Sequence, residues 1–158
     1  MATASEARAA FRTRLAAGGI TYGGQPVPLR WQNEAADSLG NRRLPDTPAP
    51  FVYSEFLNEG STIVAYGGGR GGNVHRNHAR VESYVFVPKG TGLDGAEAIA
   101  EQIAALFRSY RDQHISCFEA TVMPGGDGAM LKPAGLASEV GNYFWAACEV
   151  RLHFDQIG

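Results

Sequence analysis

Apolar positions recur along this chain with two distinct periods, and the switch between them marks out its elements. Ala7, Phe11 and Leu15 fall at i, i+4 and i+8, one stripe of a helix. Thr3-Ala4-Ser5-Glu6 ahead of them has the spacing of a capping box, in which hydroxyl and carboxylate satisfy free amides at a helix start. Gly18-Gly19 supplies the stop. The strongest stripe is Ile99, Ile103, Leu106, Phe107 and Tyr110, which predicts a helix over 95–110 opened by a second box, Asp94-Gly95-Ala96-Glu97. Near the end the period drops to two. Cys148, Val150, Leu152 and Phe154 alternate with Glu149, Arg151, His153 and Asp155, the pattern of a strand over 143–155 with one face on a core. Such alternation belongs to an antiparallel sheet, because a buried parallel strand reads apolar on both faces.

Shorter β-prone runs fill the space between. The segment 27–33 carries Leu29 and Trp31, and 51–57 is rich in aromatics. Asn58-Glu59-Gly60 then reads as a turn into 61–66, which makes a hairpin the simplest expectation. Further strands are expected over 80–87, closed by Pro88 and Gly90, and over 115–122. Long connections fall at 34–50, 67–79 and 123–141. The order is helix, four strands, helix, two strands: an α+β domain spanning 1–158, with two helices packed on a mainly antiparallel or mixed sheet. No internal repeat is visible.

Composition narrows the function more than the fold. The chain has 158 residues, enough for one core, with 44% hydrophobic and 19% charged residues. No run approaches the ~18 apolar residues of a membrane span. The first fourteen residues carry Glu6, Arg8, Arg12 and Arg14 where a signal peptide would be apolar, so the expected compartment of synthesis is a cytoplasm. A net charge of −2 argues against sequence-independent grip on nucleic acid. Cys117 and Cys148 make neither a disulfide scaffold nor a zinc site by themselves and read as small buried hydrophobes.

Several segments mimic chemical motifs. Residues 67–72 satisfy G-x-G-x-x-G after a strand. A dinucleotide site needs a helix to begin there, yet 73–79 has no apolar period, and no Lys-Ser/Thr pair completes a phosphate loop. A flexible hairpin tip is the expectation instead. His75 and His78 lie three apart, but Arg70, Arg76 and Arg80 would repel a divalent cation. Ser109, Asp112 and His114 cluster at a helix end, where polar groups serve as a solvated cap, and His114 with Cys117 lacks a third orienting group. No catalytic, cofactor or metal residue is therefore assigned. The candidate partner-contact loop is Gly68, Arg70, Asn73, His75, Arg76, His78 and Arg80.

With the elements in order, the chain resembles the tail terminator (tail-completion) proteins of long-tailed phages and gene-transfer particles. The resemblance runs through the first helix into Gly19, Leu29-Arg30-Trp31-Gln32-Asn33, and Pro50-Phe51-Val52. It continues through Tyr84-Val85-Phe86-Val87-Pro88-Lys89-Gly90-Thr91-Gly92 into the second helix, and through Phe144-Trp145-Ala146-Ala147 into the last strand. It covers nearly the whole chain as a pattern of order and character. The segments 67–79 and 123–141 are more elaborate than in simple members. What the resemblance implies is a virion protein of the tail or neck, assembled in the host cytoplasm, that acts without chemistry. It would form a ring of copies of itself, a hexamer in that family, on the head-proximal end of the tail tube. There it would stop polymerisation of the tail-tube protein and dock the head-tail connector, while DNA passes through the lumen without specific binding. A neck or minor tail subunit is the neighbouring alternative. A small ligand-binding module or enzyme using the glycine-rich loop is the alternative from another class.

Overall fold

The structure is a computed structural model describing residues 1–32, 34, 47–67, 69, 71–126 and 142–158. Helix α1 (Ala4–Ala17) starts at the capping box read from the sequence: the Thr3 hydroxyl accepts from the Glu6 N–H, and the Thr3 N–H donates to the Glu6 carboxylate at 2.7 Å. Gly18 and Gly19 end it, Gly19 at φ 62. A two-residue hairpin follows, β1 (Thr21–Tyr22) against β2 (Gln25–Pro26). Its turn, Gly23-Gly24, holds φ of 57 and 77, the left-handed pair of a type I′ turn. Strands β3 (Leu29–Trp31), β4 (Phe51–Ala65) and β5 (Val74–Pro88) precede helix α2 (Asp94–Phe107). Strands β6 (Ser116–Met123) and β7 (Tyr143–Ile157) come last. The main sheet runs β3-β4-β5-β7-β6, with β3 parallel to β4 and the other pairs antiparallel. Two helices on a mixed sheet make this an α+β fold.

Both helices lie on one face of the sheet. The register brings Val52, Ser54 and Phe56 of β4, Val81, Ser83 and Val85 of β5, and Ala146, Cys148 and Val150 of β7 to that face in rows. Ile99, Ile103 and Phe107 are buried against it as their spacing predicts. Phe11 of α1 stacks on Phe107 with centroids 4.1 Å apart and planes 4° from parallel, so α1 reaches the core largely through α2.

Four boundaries differ from the sequence reading. Asn58-Glu59-Gly60 is no turn: β4 runs straight through it, and the register skips from Asn58 to Gly60 in a bulge, with a second skip from Ile63 to Ala65. Turn-type residues were absorbed as a bulge because β5 supplies a partner on both sides of them. The loop expected over 67–79 is correspondingly short, since β5 begins at Val74 and pairs through Val74–Ala79 with both β4 and β7. The second capping box does not form. Leu93 occupies the N-cap in helical conformation with no side-chain cap, and Asp94 and Glu97 sit in the first turn, where the helix dipole favours carboxylates. Finally, α2 stops at Phe107, with Ser109 at φ 56 turning the chain so that Tyr110 meets Phe107 edge-on. The expected loops at 34–50 and 123–141 fall mostly outside the described residues.

Candidate functional site

The face of the sheet opposite the helices carries its side chains in bands, and the register dictates them. Phe51, Phe86 and Trp145 form one row, with Tyr143 against it. Phe51 stacks on Phe86 at 4.7 Å and meets Tyr143 edge-on at 5.2 Å. Tyr53 and Tyr84 form the next row, and Glu55, Glu82 and Glu149 the one after. Like charges directly opposite one another destabilise a sheet. Here the neighbouring rows offset that: the Tyr84 hydroxyl donates to Glu82, and Arg151 Nε donates to Glu149 at 2.8 Å. Arg80 lies 3.3 Å from Glu82, 3.5 Å from Glu59 and 3.6 Å from Glu149. Its Nε nevertheless has no well-aligned hydrogen bond, so its attraction is one of proximity. Burial pushes the Glu55 carboxyl above the usual range, and Glu82 adds to that against the hydrogen bond from Tyr53. Tyr53 is pushed up to about 12 by burial and by Glu55, and Tyr84 rises by burial and its bond to Glu82.

The described residues among those singled out from sequence lie around the far end of this face, where β4, β5 and β7 extend together as an arm. Gly68 and Arg70 are outside the described residues. Asn73 sits in the turn, its side-chain oxygen accepting from the Gly67 N–H at 3.3 Å. His75 faces the helix side, in register with Ile63. Arg76, His78 and Arg80, two apart on β5, share the open face. The structure thus brings three of the candidates into one line and sets Asn73 and His75 apart from them.

That line is matched by residues of β7 that no local motif marks. Arg76 grips Asp155 through two bonds of 2.8 Å, which holds the Asp155 carboxyl below its ordinary range and raises the guanidinium. His78 lies opposite His153, ring centroids 6.4 Å apart. Burial, helped by Arg76 and His78, lowers the His153 imidazole. Phe118, the extra residue of a bulge in β6, stacks on His153 at 6.0 Å while remaining exposed. The alternation in β7 announced an outward polar face. Its pairing with β5 was the part that spacing alone could not give.

Apolar side chains are exposed on the arm and beside it: Ile63, Val64, Ile157 and Tyr66, the last 83% accessible. Strand β3 pairs with β4 only over Leu29–Trp31 and Val52–Ser54, so among the described residues the outer edge of β4 beyond Phe56 has no strand partner, nor has the outer edge of β6.

Groups suited to chemistry are disposed otherwise. Burial pushes the Cys117 and Cys148 thiols up to about 12, which leaves essentially no thiolate at neutral pH. Cys117 pairs with Leu152, four positions from Cys148. Four strand residues span ~13 Å, beyond the ~7 Å a disulfide bridges. Asp112 accepts from the backbone N–H groups of His114 and Ile115, both at 2.7 Å, and closes the turn into β6. Burial raises the Asp112 carboxyl, but these bonds outweigh it and its pKa lies low. The glycine-rich turn joins two strands and so offers no helix N-terminus to a phosphate. Among the described residues no three His, Cys, Asp or Glu side chains are placed to hold a metal ion. No helix among them is long and apolar enough to cross a membrane.

A different concavity lies on the helix side, where α1 overhangs β3 and β4. It holds about 260 Å³ between Arg8, Phe11 and Arg12 of the helix and Trp31, Ser54 and Phe56 of the strands. The Ser54 and Ser83 hydroxyls meet at 2.8 Å inside the core, and Ser54 lines the cavity floor. These two small side chains occupy the sheet row beneath α1, and they do not fill the space that larger residues would.

No protein-family model matches this chain, and no curated protein does. A solved structure whose name is a bare sequence identifier shares the fold. It is 17% identical, with a TM-score of 0.56, over 96% of this chain and 94% of that one.

Proposed function

We propose that this chain is the subunit of a ring that caps the head-proximal end of a phage tail tube, stops its growth and offers a docking face to the head connector. The observation that carries this reading is that, among the described residues, the sheet is open at both edges, along the outer part of β4 and along β6, with helices on one face only. A ring requires a heterologous contact, one surface meeting a different one on the next copy. Strand β4 runs toward the arm's tip and β6 runs away from it. Rotation about an axis along the strands preserves both directions, so β4 of one copy would meet β6 of the next antiparallel, the more stable ladder. Exposed Ile63, Val64 and Phe118 on those two strands supply apolar surface for such a contact. The charge pattern of the open face suits passage of DNA: Arg76, Arg80 and Arg151 there all face carboxylates of their own chain, which weakens the grip of that face on a phosphate backbone.

The test is removal of the protein from an infecting particle. Heads should fill normally while tails grow to irregular, excessive length and fail to join them. Tails of normal length that join heads in its absence overturn the proposal, and normal tails that fail to join assign the chain to the connector instead. A second reading, a small ligand-binding module, is favoured by one observation, the cavity beneath α1. It places the ligand there and not at the glycine-rich turn.

A further inference from the structure

The cavity beneath α1 has a composition that packing does not require, and its polar groups are lopsided. Its walls are apolar: Phe11 and Val81 are buried, and Trp31 and Phe56 are nearly so. Arg12 lies 4.8 Å over the Trp31 ring and Arg8 5.6 Å over the Phe56 ring, so each guanidinium sits above an aromatic wall at the rim. Arg12 is held by Glu34 through two bonds, the second 3.1 Å long. Arg8 has no carboxylate partner among the described residues. Among the described residues the rim therefore carries two positive charges against one negative.

The remaining polar groups point the same way. The Gln32 side-chain oxygen is taken by the Phe56 N–H, which leaves the amide NH₂ of Gln32 as the end available to a guest. On the floor Ser54 is 98% buried, at 2% accessibility, and its hydroxyl pairs with that of Ser83. Either hydroxyl can be the donor in that bond, and the floor it makes is small and uncharged. Donors without matching acceptors, one uncompensated positive charge and aromatic walls together define an occupant. It must bring acceptors, one negative charge and a flat apolar body. Pockets for drug-sized ligands measure ~300–1,000 Å³. A volume of about 260 Å³ suits a single ring bearing one short acidic arm.

We infer that this cavity is a binding site for a small aryl carboxylate, its ring between Trp31 and Phe56 and its carboxylate on Arg8 and the Gln32 amide. The site lies on the helix side of the sheet, away from the open face, and it functions in the isolated subunit whether or not copies assemble. Phenylacetate, with about ten non-hydrogen atoms, is the probe, and phenylacetamide is its uncharged counterpart. The chain has two tryptophans, so Trp145→Phe leaves Trp31 as the sole indole reporter.

Phenylacetate should change Trp31 emission saturably with a dissociation constant of about 0.1–1 mM. Phenylacetamide should bind at least about tenfold more weakly, the ratio expected of one charge-assisted contact. Arg8→Ala, at an exposed position, should erase that preference without moving the melting temperature. Ser54→Val, which fills the floor, should weaken acid and amide alike, and if it fails to fold the Arg8 variant decides alone. Equal affinity for acid and amide overturns the inference. So does acid binding unchanged by Arg8→Ala, or the absence of a saturable signal up to about 10 mM phenylacetate.

Discussion

The stack between Phe11 and Phe107 is the contact on which the seating of α1 depends, and truncating it has a calculable cost. Phe107 is fully buried, and its ring is shared between Phe11 in parallel at 4.1 Å and Tyr110 edge-on at 6.1 Å. Replacing a buried Phe by Ala costs about 3–5 kcal/mol. Against a total stability of about 5–15 kcal/mol that is a large share. At ~2–4 °C per kcal/mol in a domain of this size, Phe107→Ala should lower the melting temperature by about 10 °C. Milder changes isolate the stack itself. Phe11→Leu and Phe107→Leu each retain apolar volume and should cost about 1.5 kcal/mol or less. In the double variant the shared ring contact can be lost only once, so the pair should fall short of additivity by about 0.5–1.5 kcal/mol. Urea denaturation followed by far-UV circular dichroism measures all four corners of that cycle. Additivity within about 0.3 kcal/mol would refute the claim that α1 is anchored through this stack.

Other positions separate the reading further. Gln102 bonds both the N–H and the carbonyl of Thr21, at 3.1 and 2.9 Å, and so pins the Gly23-Gly24 hairpin to α2. Gln102→Ala should cost about 1–2 kcal/mol, whereas Glu101→Ala, exposed beside it, should change stability by less than about 0.5; equal melting temperatures would count against the pin. Glu55 has a raised pKa, so the folded state binds its proton more tightly than the unfolded chain does, and ionisation at neutral pH opposes folding. Glu55→Gln should therefore stabilise at pH 7, with the gain shrinking as pH falls into the ordinary carboxylate range; a gain independent of pH would be inconsistent with a carboxyl raised by burial and by Glu82. Asp155 shifts the opposite way, so its bond to Arg76 stabilises above the ordinary carboxylate range and is lost as pH falls through the lowered value. The melting-temperature difference between Asp155→Asn and the parent should accordingly vanish in acid. At Gly67 a Cβ would stand 1.7 Å from the Gly72 carbonyl oxygen, so Gly67→Ala should speed amide exchange in the arm while leaving α2 unchanged.

Periodic segments proved the most legible. The stripe of Ile99, Ile103 and Phe107 and the alternation of Cys148 to Asp155 each state a face, and packing obeyed both. Local turn chemistry misled where tertiary pairing overrode it: Asn58-Glu59-Gly60 has the residues of a turn, yet β5 continues alongside and holds the strand straight. The same override converted Val74–Ala79, polar and without period, into a strand paired on both sides. Gly23-Gly24, in contrast, is a turn signal that could have been read, since two consecutive glycines between short β-prone pairs favour a type I′ turn. Arg76, His78 and Arg80 were identifiable as charged positions, but their partners Asp155, His153 and Glu149 lie 69 to 79 residues further along the chain. The cavity had no sequence signature, because its lining comes from α1, β3, β4 and β5, which are far apart in the chain.

The paired bulges of β4 bear on how the arm can change in length. Ahead of the first, even-numbered residues of β4 face the helices, as Phe56 does opposite Val81. After Gly60 the odd ones do, Ser61 and Ile63 opposite Asn77 and His75, and beyond the second skip Ala65 opposite Val74 points to the open face again. One inserted residue inverts the phase of everything after it, and a second restores it. Loss of Glu59 or of Val64, the unpaired residue of each bulge, would therefore close that bulge and leave every other pair and both faces as they are. Loss of a paired residue between them, such as Thr62, can be absorbed only by drawing a bulged residue into the ladder and turning over the residues between it and the gap. Single-residue losses from β4 should therefore be tolerated best at Glu59 and Val64, a preference that a library of random one-residue deletions scored for soluble protein would reveal.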